Sequence, residues 1–374
     1  GHNVLFTSGN AKEMGAAYFM LEHRYYGESL PFNVINTTES LAFLTSRQAL
    51  EDVAHLLKTL KKNPEFKSSK VILVGGFYAG NLAVWLKQLY PELIDAVLAS
   101  SAPLQAKKEF SEYPETVTDT FRTYGSQECV NKIEEKFNTV HEMLQSPEGI
   151  EKVKQQFQIC EEDDMTIPEN QQLFFSIQIG TPFGRSAEYG IPADITESCQ
   201  AIKSSELEDQ ISFAKKYNIC FLYDFNKWAF YTVDVPEIRL WQYQLCTEFG
   251  HIVTTSSNKQ MFGKFVPIEL GYKICKKFFG EQFNGERMER GVIDTNRIYG
   301  GLNPNVTNVV FVNGDMDPWH RLGIVHDLSP DAPAIFINGS GHCHDFYPHL
   351  NDSDSVKEAR KEIMKLLKKW IGQT

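Results

Sequence analysis

The sequence has no run of about 18 consecutive apolar residues, so it predicts no membrane-crossing helix. Positive charge is in the minority: 37 Lys and Arg stand against 48 Asp and Glu, a net charge of −11. That balance repels a phosphate backbone, and no basic stripe interleaved with aromatics offsets it. Nucleic acid is therefore not an expected partner. No two cysteines form a close CxxC pair, which argues against structural zinc. The glycine pairs lack a dinucleotide-binding or phosphate-loop context, so no cofactor is expected. No internal repeat is visible. The chain opens at Gly1 without methionine or a signal peptide, which reads as a processed or truncated start.

What is present fits a folded globular chain: 374 residues, 42% hydrophobic and 23% charged. That length suits one large domain plus an insertion. The seven cysteines are Cys129, Cys160, Cys199, Cys220, Cys246, Cys275 and Cys343. An odd number leaves at least one thiol free or paired between chains, and spacing does not give the connectivity. Sequons occur at Asn36, Asn305, Asn338 and Asn351. Together with the scattered cysteines they point to the secretory route, with the protein secreted or in a lysosomal or endosomal compartment.

Alternating strands and helices are predicted over 1–104 and again over 301–374. Short strands are expected at Val4–Thr7 and Ala17–Glu22. A helix is expected from Ser46 to Lys61, with Thr45 and Gln48 at capping-box spacing. The apolar run Val71–Val74 predicts a strand covered on both faces. A helix from Tyr78 to Tyr90 stops at Pro91, and Val97–Ser100 is a further strand. Between 105 and 300 the pattern turns helical: Val130, Ile133, Phe137, Val140 and Leu144 share one spacing, and Leu207, Ile211 and Ala214 another. Six of the seven cysteines lie there, so a disulfide-pinned helical insertion is expected. Strands resume at Val309–Val312 and Ala334–Ile337. A last helix is expected near Ser355, with Glu358 as its capping partner.

Residues 75–80 read GGFYAG between a buried strand and a helix. This is where a nucleophile elbow lifts one side chain above a sheet. Covalent acyl transfer needs a nucleophilic atom at that apex, and Phe77 has none. Tyr78 follows it, and its backbone N–H stands where an oxyanion donor would. The plain alternative is a glycine-rich turn holding a core phenylalanine. Two further residues favour a hydrolase frame. Asp317, in NGDMDPW, and His342, in NGSGHCHD, follow strand ends in the chain order of α/β-hydrolases. Each has a structural alternative: Asp317 as a turn cap before Pro318, His342 as a hydrogen-bonded loop residue. A metal cluster of His342, His344 and Asp345 is disfavoured, because the short loop offers no separate, well-spaced ligands.

These segments, with EHRYYGES at 22–29, FLTSRQAL at 43–50, SSAP at 100–103 and YQLCTEFG at 243–250, make the chain resemble a known family. It is similar to the serine peptidases that include prolyl carboxypeptidase, dipeptidyl peptidase II and thymus-specific serine protease. The thymus-specific branch looks nearest, because Cys343 follows His342. The resemblance implies an α/β-hydrolase fold with a mainly helical cap inserted at 105–300, and amino-terminal strands incomplete here. It implies exopeptidase chemistry on short peptides, often beyond proline. Carried over, the nucleophile falls on Phe77, the acid on Asp317 and the base on His342, with His344 as the displaced alternative. Tyr78 falls on the oxyanion position, and Trp319 and Asn81 on the substrate pocket. Asn81 departs from the family pattern, as does Ala79.

The expectation is a serine-carboxypeptidase-like protein made non-catalytic by Phe77, retaining a peptide-binding cleft. Two alternatives stand beside it. One is an active serine-type exopeptidase using another residue, for which Ser100 and Ser101 lack a glycine-framed elbow. The other is an interaction protein acting through the cap. Expected partners are short peptides, with a homodimer also considered.

Overall fold

The computed structural model describes residues 6–32, 37–203, 220–227, 236–348 and 352–373. The chain divides into two compact units. The first comprises Gly1–Lys107, Thr247–Phe249 and Glu289–Thr374; the second comprises Lys108–Cys246 and Gly250–Met288. The insertion read from the sequence at 105–300 is broader than this second unit, because Thr247–Phe249 and the chain from Glu289 onward cluster with the sheet.

The amino-terminal strands read from the sequence are not found. Phe6 opens a helix, α1 (Phe6–Glu13), and Val4 lies outside the described residues. Residues 17–22 form no strand among the described residues, and Tyr18, Phe19, Met20 and Leu21 are 44–77% exposed. A hydrophobic run becomes a strand only where a partner supplies backbone bonds, and among the described residues no strand pairs with this one. Helix α2 (Ser46–Leu60) forms as expected: the Thr45 hydroxyl accepts from Gln48 N, capping a face built of Ala49, Leu50, Ala54 and Leu57.

β1 (Ile72–Gly76) leads through Phe77 into α3 (Tyr78–Leu89), and β2 (Ala96–Ser100) follows. The chain then enters the second unit with β3 (Lys107–Glu109) and α4 (Glu112–Thr120). Next come α5 (Gln127–Met143), α6 (Pro147–Gln156), α7 (Pro168–Gln178), α8 (Arg185–Tyr189) and α9 (Pro192–Lys203). After them come α10 (Pro236–Gln244), β4 (Gly250–Ile252), α11 (Ile268–Phe279) and the start of α12 (Gly285–Tyr299). Three disulfides lie in this unit: Cys129–Cys199, Cys160–Cys220 and Cys246–Cys275. They leave Cys343 as the free thiol, buried in the other unit. The proposed repeat of Leu207, Ile211 and Ala214 lies outside the described residues.

The sheet resumes with β5 (Val309–Gly314) and β6 (Ala334–Ile337), and α13 (Asp354–Ile371) closes the chain. Strand order is β1-β2-β5-β6, all parallel, with Gly76 opposite Ser100, Ser100 opposite Val312 and Gly314 opposite Ile337. This is the α/β-hydrolase arrangement. β2 and β5 are buried throughout. β1 departs from expectation: it is an edge strand with Val74 exposed, so its apolar run is not covered on both faces. α13 packs Val356, Ala359, Ile363 and Leu367 against Leu98, Val310 and Val312. Each large aliphatic side chain buried there contributes about 1.5–3 kcal/mol. Its cap is Ser353, which accepts from Val356 N, rather than the expected Ser355.

Parallel register carries the ends of β1, β2, β5 and β6 to one edge of the sheet. The loops that follow them therefore meet there, which is where open α/β sheets build their sites.

Candidate active site

The turn after β1 is an elbow in geometry as well as in sequence. Phe77 has φ 53° and ψ −125°. A side chain with a Cβ adopts that region at a cost of about 1–3 kcal/mol. The turn is tied on both sides: Phe77 N donates to Ser100 O at 2.9 Å, and Asn81 N donates to Phe77 O at 3.1 Å. Glycine is required beside it for lack of room. A Cβ on Gly75 would stand 2.2 Å from Ala79 O, and one on Gly80 would stand 2.9 Å from the Ala102 Cβ.

The Phe77 ring points into the site. Its centroid lies 4.9 Å from Trp319 and 5.2 Å from His342, edge-on to both, at 70° and 71°. The ring is thus wedged between the aromatic and the imidazole that the sequence reading assigned to the pocket and the base.

Asp317 is fully buried, and its two oxygens make separate contacts. Its Oδ1 accepts from Trp319 N at 3.0 Å, capping the turn Pro318–Leu322. Its Oδ2 takes His342 Nδ1 at 2.8 Å. His342 is 8% exposed. Burial of the ring opposes its charge, but the Asp317 carboxylate outweighs that penalty. Cys343 adds in the same direction, and the imidazole pKa is pushed up to about 11. His344, the alternative base, instead accepts from Gly341 N within its own loop, at 3.1 Å.

A set of residues that the sequence reading did not assign frames the histidine loop. Ser101, at φ 45°, accepts through its hydroxyl from Cys343 N at 2.9 Å. The Ser100 hydroxyl donates to Asp345 Oδ1 at 2.5 Å. Both serines are buried, with their hydroxyls engaged by the histidine loop. Asp345 Oδ2 has no hydrogen-bond partner among the described residues, and burial raises that carboxyl to about 6. Arg360 of α13 grips the loop through His344 O at 2.6 Å and Asp345 O at 2.9 Å, and pairs with Asp352. Asp315 Oδ1 accepts from Gly339 N at 2.7 Å, so the two acids of NGDMDPW hold different strand ends. These contacts join residues up to 245 positions apart, as in Ser100–Asp345, beyond the reach of local pattern.

Tyr78 begins α3, and its hydroxyl meets His23 Nε2 at 3.2 Å. His23 is lowered, chiefly by burial. Asn81 is 2% exposed and donates to Pro103 O at 2.9 Å, while its Oδ1 has no hydrogen-bond partner among the described residues. The amide is spent on the loop after β2. Of the sequons, Asn305 and Asn338 are exposed, while Asn36 and Asn351 lie outside the described residues. Among the described residues no group of His, Cys, Asp and Glu is arranged to hold a metal ion.

The family model of serine carboxypeptidase S28 matches residues 6–363. The chain belongs to the serine carboxypeptidase S28 family. The thymus-specific serine protease of Mus musculus is 30% identical over 392 residues, covering 96% of this chain and 75% of that protein. Its Homo sapiens counterpart is also 30% identical, with the same coverage. The lysosomal Pro-X carboxypeptidase of Mus musculus is 28% identical over 410 residues, covering 99% of this chain and 82% of that protein. This S28 chain thus keeps an elbow, a buried acid and a paired histidine, with a phenyl ring at the apex.

Proposed function

We propose that this S28 chain is a non-catalytic homologue of the serine carboxypeptidases that retains the hydrolase frame and binds short peptides without cleaving them. The observation that carries the reading is the Phe77 ring, held 5.2 Å from His342 and 4.9 Å from Trp319. Acyl transfer would require an oxygen at the apex to attack the carbonyl while the imidazole takes its proton. Phe77 supplies no oxygen and no proton. Its ring also fills the space between the base and the aromatic wall that a scissile carbonyl would enter. In this reading Asp317 and His342 persist as a hydrogen-bonded structural pair. Tyr78 N–H is an oxyanion donor with no oxyanion to serve, and Trp319 remains a wall for substrate side chains.

The secretory setting belongs to the same proposal. Three disulfides fit an oxidising compartment. Relatives named as lysosomal fit an acidic one, and Asn305 and Asn338 are exposed for glycosylation.

The test is to treat the purified chain with a serine-directed fluorophosphonate and to assay it on short proline-containing peptides. Neither labelling nor turnover is expected. Label on a defined active-site residue, or turnover abolished by His342→Ala, sinks the proposal. Peptide binding is read separately by calorimetry with the same peptides, where saturable heat without product is the expected result.

A further inference from the structure

We propose that the open edge of β6 and the charged face of α13 form a two-fold interface with a second copy of this chain. The interface lies at the border of the sheet opposite β1, so it does not depend on the chemistry at Phe77.

β6 ends the strand order, with no strand beyond it among the described residues. In a parallel ladder alternate residues turn both backbone groups to the same neighbour. Phe311 N donates to Pro333 O and Asp315 N to Ile337 O, so positions 333, 335 and 337 serve β5. Positions 334 and 336 therefore turn outward. The Asp327 carboxylate takes Ala334 N at 2.7 Å. Phe336 N–H and C=O stay on the open edge, and an edge of this kind is a template for another chain. Opposed residues of an antiparallel pair can exchange both of their bonds. Two copies related by a two-fold axis at Phe336 do so, each Phe336 N–H donating to the other Phe336 C=O. Ile335 and Ile337 belong to the face packed by α13, so the Phe336 ring lies on the other face, 41% exposed and edge-on to His320. In the pair the two phenyl rings become cross-strand neighbours and cover one another.

On the face of Ile335 and Ile337, the border is walled by α13 through Ser355, Glu358, Lys361, Glu362 and Lys365. The four charges alternate in sign along the helix, and that order is self-complementary. An antiparallel copy centred between 361 and 362 sets Glu358 against Lys365 and Lys361 against Glu362, each contact arising twice by symmetry. No like charges meet. A uniformly acidic or basic partner would meet half of this stripe with the wrong sign, so the pattern selects a copy of itself. Within one chain the same residues form the pairs Glu358–Lys361 and Glu362–Lys365, with side chains 46–75% exposed. Exposed pairs are weak, so sharing them with a second copy sacrifices little.

One axis serves strand and helix together. The Ser355 hydroxyl donates to Asn338 O at 3.4 Å, which places the start of α13 beside the end of β6. From there the helix runs back along the strand, both lining the same groove. Phe336 lies about 7 Å back from that contact along the strand. The midpoint of 361 and 362 lies about 10 Å along the helix. The two centres of symmetry thus fall at nearly the same level, within the reach of a lysine side chain.

The experiment is sedimentation velocity on the full chain over a concentration series, with any N-glycans removed enzymatically so that no sugar at Asn338 masks the edge. The parent should pass from monomer to dimer below about 100 μM. Phe336→Pro deletes the outward N–H without touching the β5 ladder, a change edge strands tolerate, and should weaken association about tenfold or more. E358K/E362K makes the stripe wholly basic and K361E/K365E makes it wholly acidic. Each alone should be monomeric over the same range, and the two mixed should form a one-to-one heterodimer. Thermal melts confirm that each variant is folded. A parent that stays monomeric at about 100 μM overturns the proposal. So does a dimer unchanged in all three variants, or folded charge variants that do not associate on mixing.

Discussion

Phe77→Ser should convert this chain into a hydrolase, and the size of the effect follows from what surrounds position 77. The elbow is already formed around φ 53°, anchored by Ser100 O and Asn81 N, so the backbone needs no rearrangement to present a hydroxyl. The His342–Asp317 pair is in place at 2.8 Å, and Tyr78 N–H opens α3 directly after the apex. A nucleophile removed from an intact triad costs on the order of 10⁶ in kcat, and a missing oxyanion donor costs about 10²–10³. If Ala79 and Asn81 impair the pocket as severely as a lost donor, the variant still gains about 10³-fold or more over the parent. The assay is turnover of a short proline-containing peptide, with fluorophosphonate labelling located at residue 77. Replacing His342 with Ala in the Phe77→Ser background should abolish both.

Stability must be followed in the same samples. Phe77→Ser forfeits two edge-on aromatic contacts, each worth about 0.5–1.5 kcal/mol, and keeps the strained backbone. A loss of about 1–3 kcal/mol is expected, small enough for most 374-residue chains to stay folded. A variant that melts cooperatively yet shows neither label nor turnover would refute the reasoning. It would mean that the pair of His342 and Asp317 is not positioned for catalysis at all.

Three further outcomes are expected. Phe77→Gly should be more stable than Phe77→Ala by about 1 kcal/mol in denaturant melts, because both lose the ring but only glycine is at ease at positive φ. In Asp317→Asn the His342 imidazole should titrate far lower by NMR. Because the folded pKa is raised, its contribution to stability is fully present below about 6.5 and fades as pH climbs toward the folded value of about 11. The stability gap between parent and variant should therefore narrow on the alkaline side. Asp345→Asn should act in the opposite sense to a salt-bridge loss. The buried carboxyl titrates near 6 rather than 3.8, so the parent loses stability as pH rises from about 4 to 6. The variant should match the parent near pH 4 and exceed it by about 1–3 kcal/mol at pH 7.5, read by urea unfolding.

Most of the sheet unit was legible because its signals are local. The Thr45 cap, the apolar run before the glycines and the strand–loop order of Asp317 and His342 each sit within one short window. The failures share a cause. Ala17–Glu22 has strand composition, but strand formation depends on a neighbour that no local pattern reports, and the same blindness made β1 look central when it is an edge. The cap of α13 is Ser353 rather than Ser355: the capping-box spacing of Ser355 and Glu358 was the local signal, but the hydroxyl that reaches a free helix N–H is that of Ser353, on Val356 N. The frame around His342 was missed for a stronger reason. Ser100 and Ser101 lie in SSAP and Asp345 in NGSGHCHD, but neither segment reports the other, and with Arg360 they become a group only when β2, α13 and the loop meet.

That frame explains how an elbow survives without its nucleophile. The strain at Phe77 was readable as a device for lifting a serine, yet here it lifts a ring. Strain persists only where the surroundings over-determine it. Those surroundings are Gly75 against Ala79, Gly80 against Ala102, and the Ser100 carbonyl that fixes Phe77 N. None of them involves the side chain at position 77. The Asp317–His342 pair is likewise held by its own loops, through Trp319 N on one side and Ser101 on the other. Backbone geometry and charge pair are therefore specified independently of the atom that would use them. Exchanging serine for phenylalanine alters chemistry at once while leaving the architecture free to stand, and this separation is why restoring one oxygen is a fair test of everything else in the site.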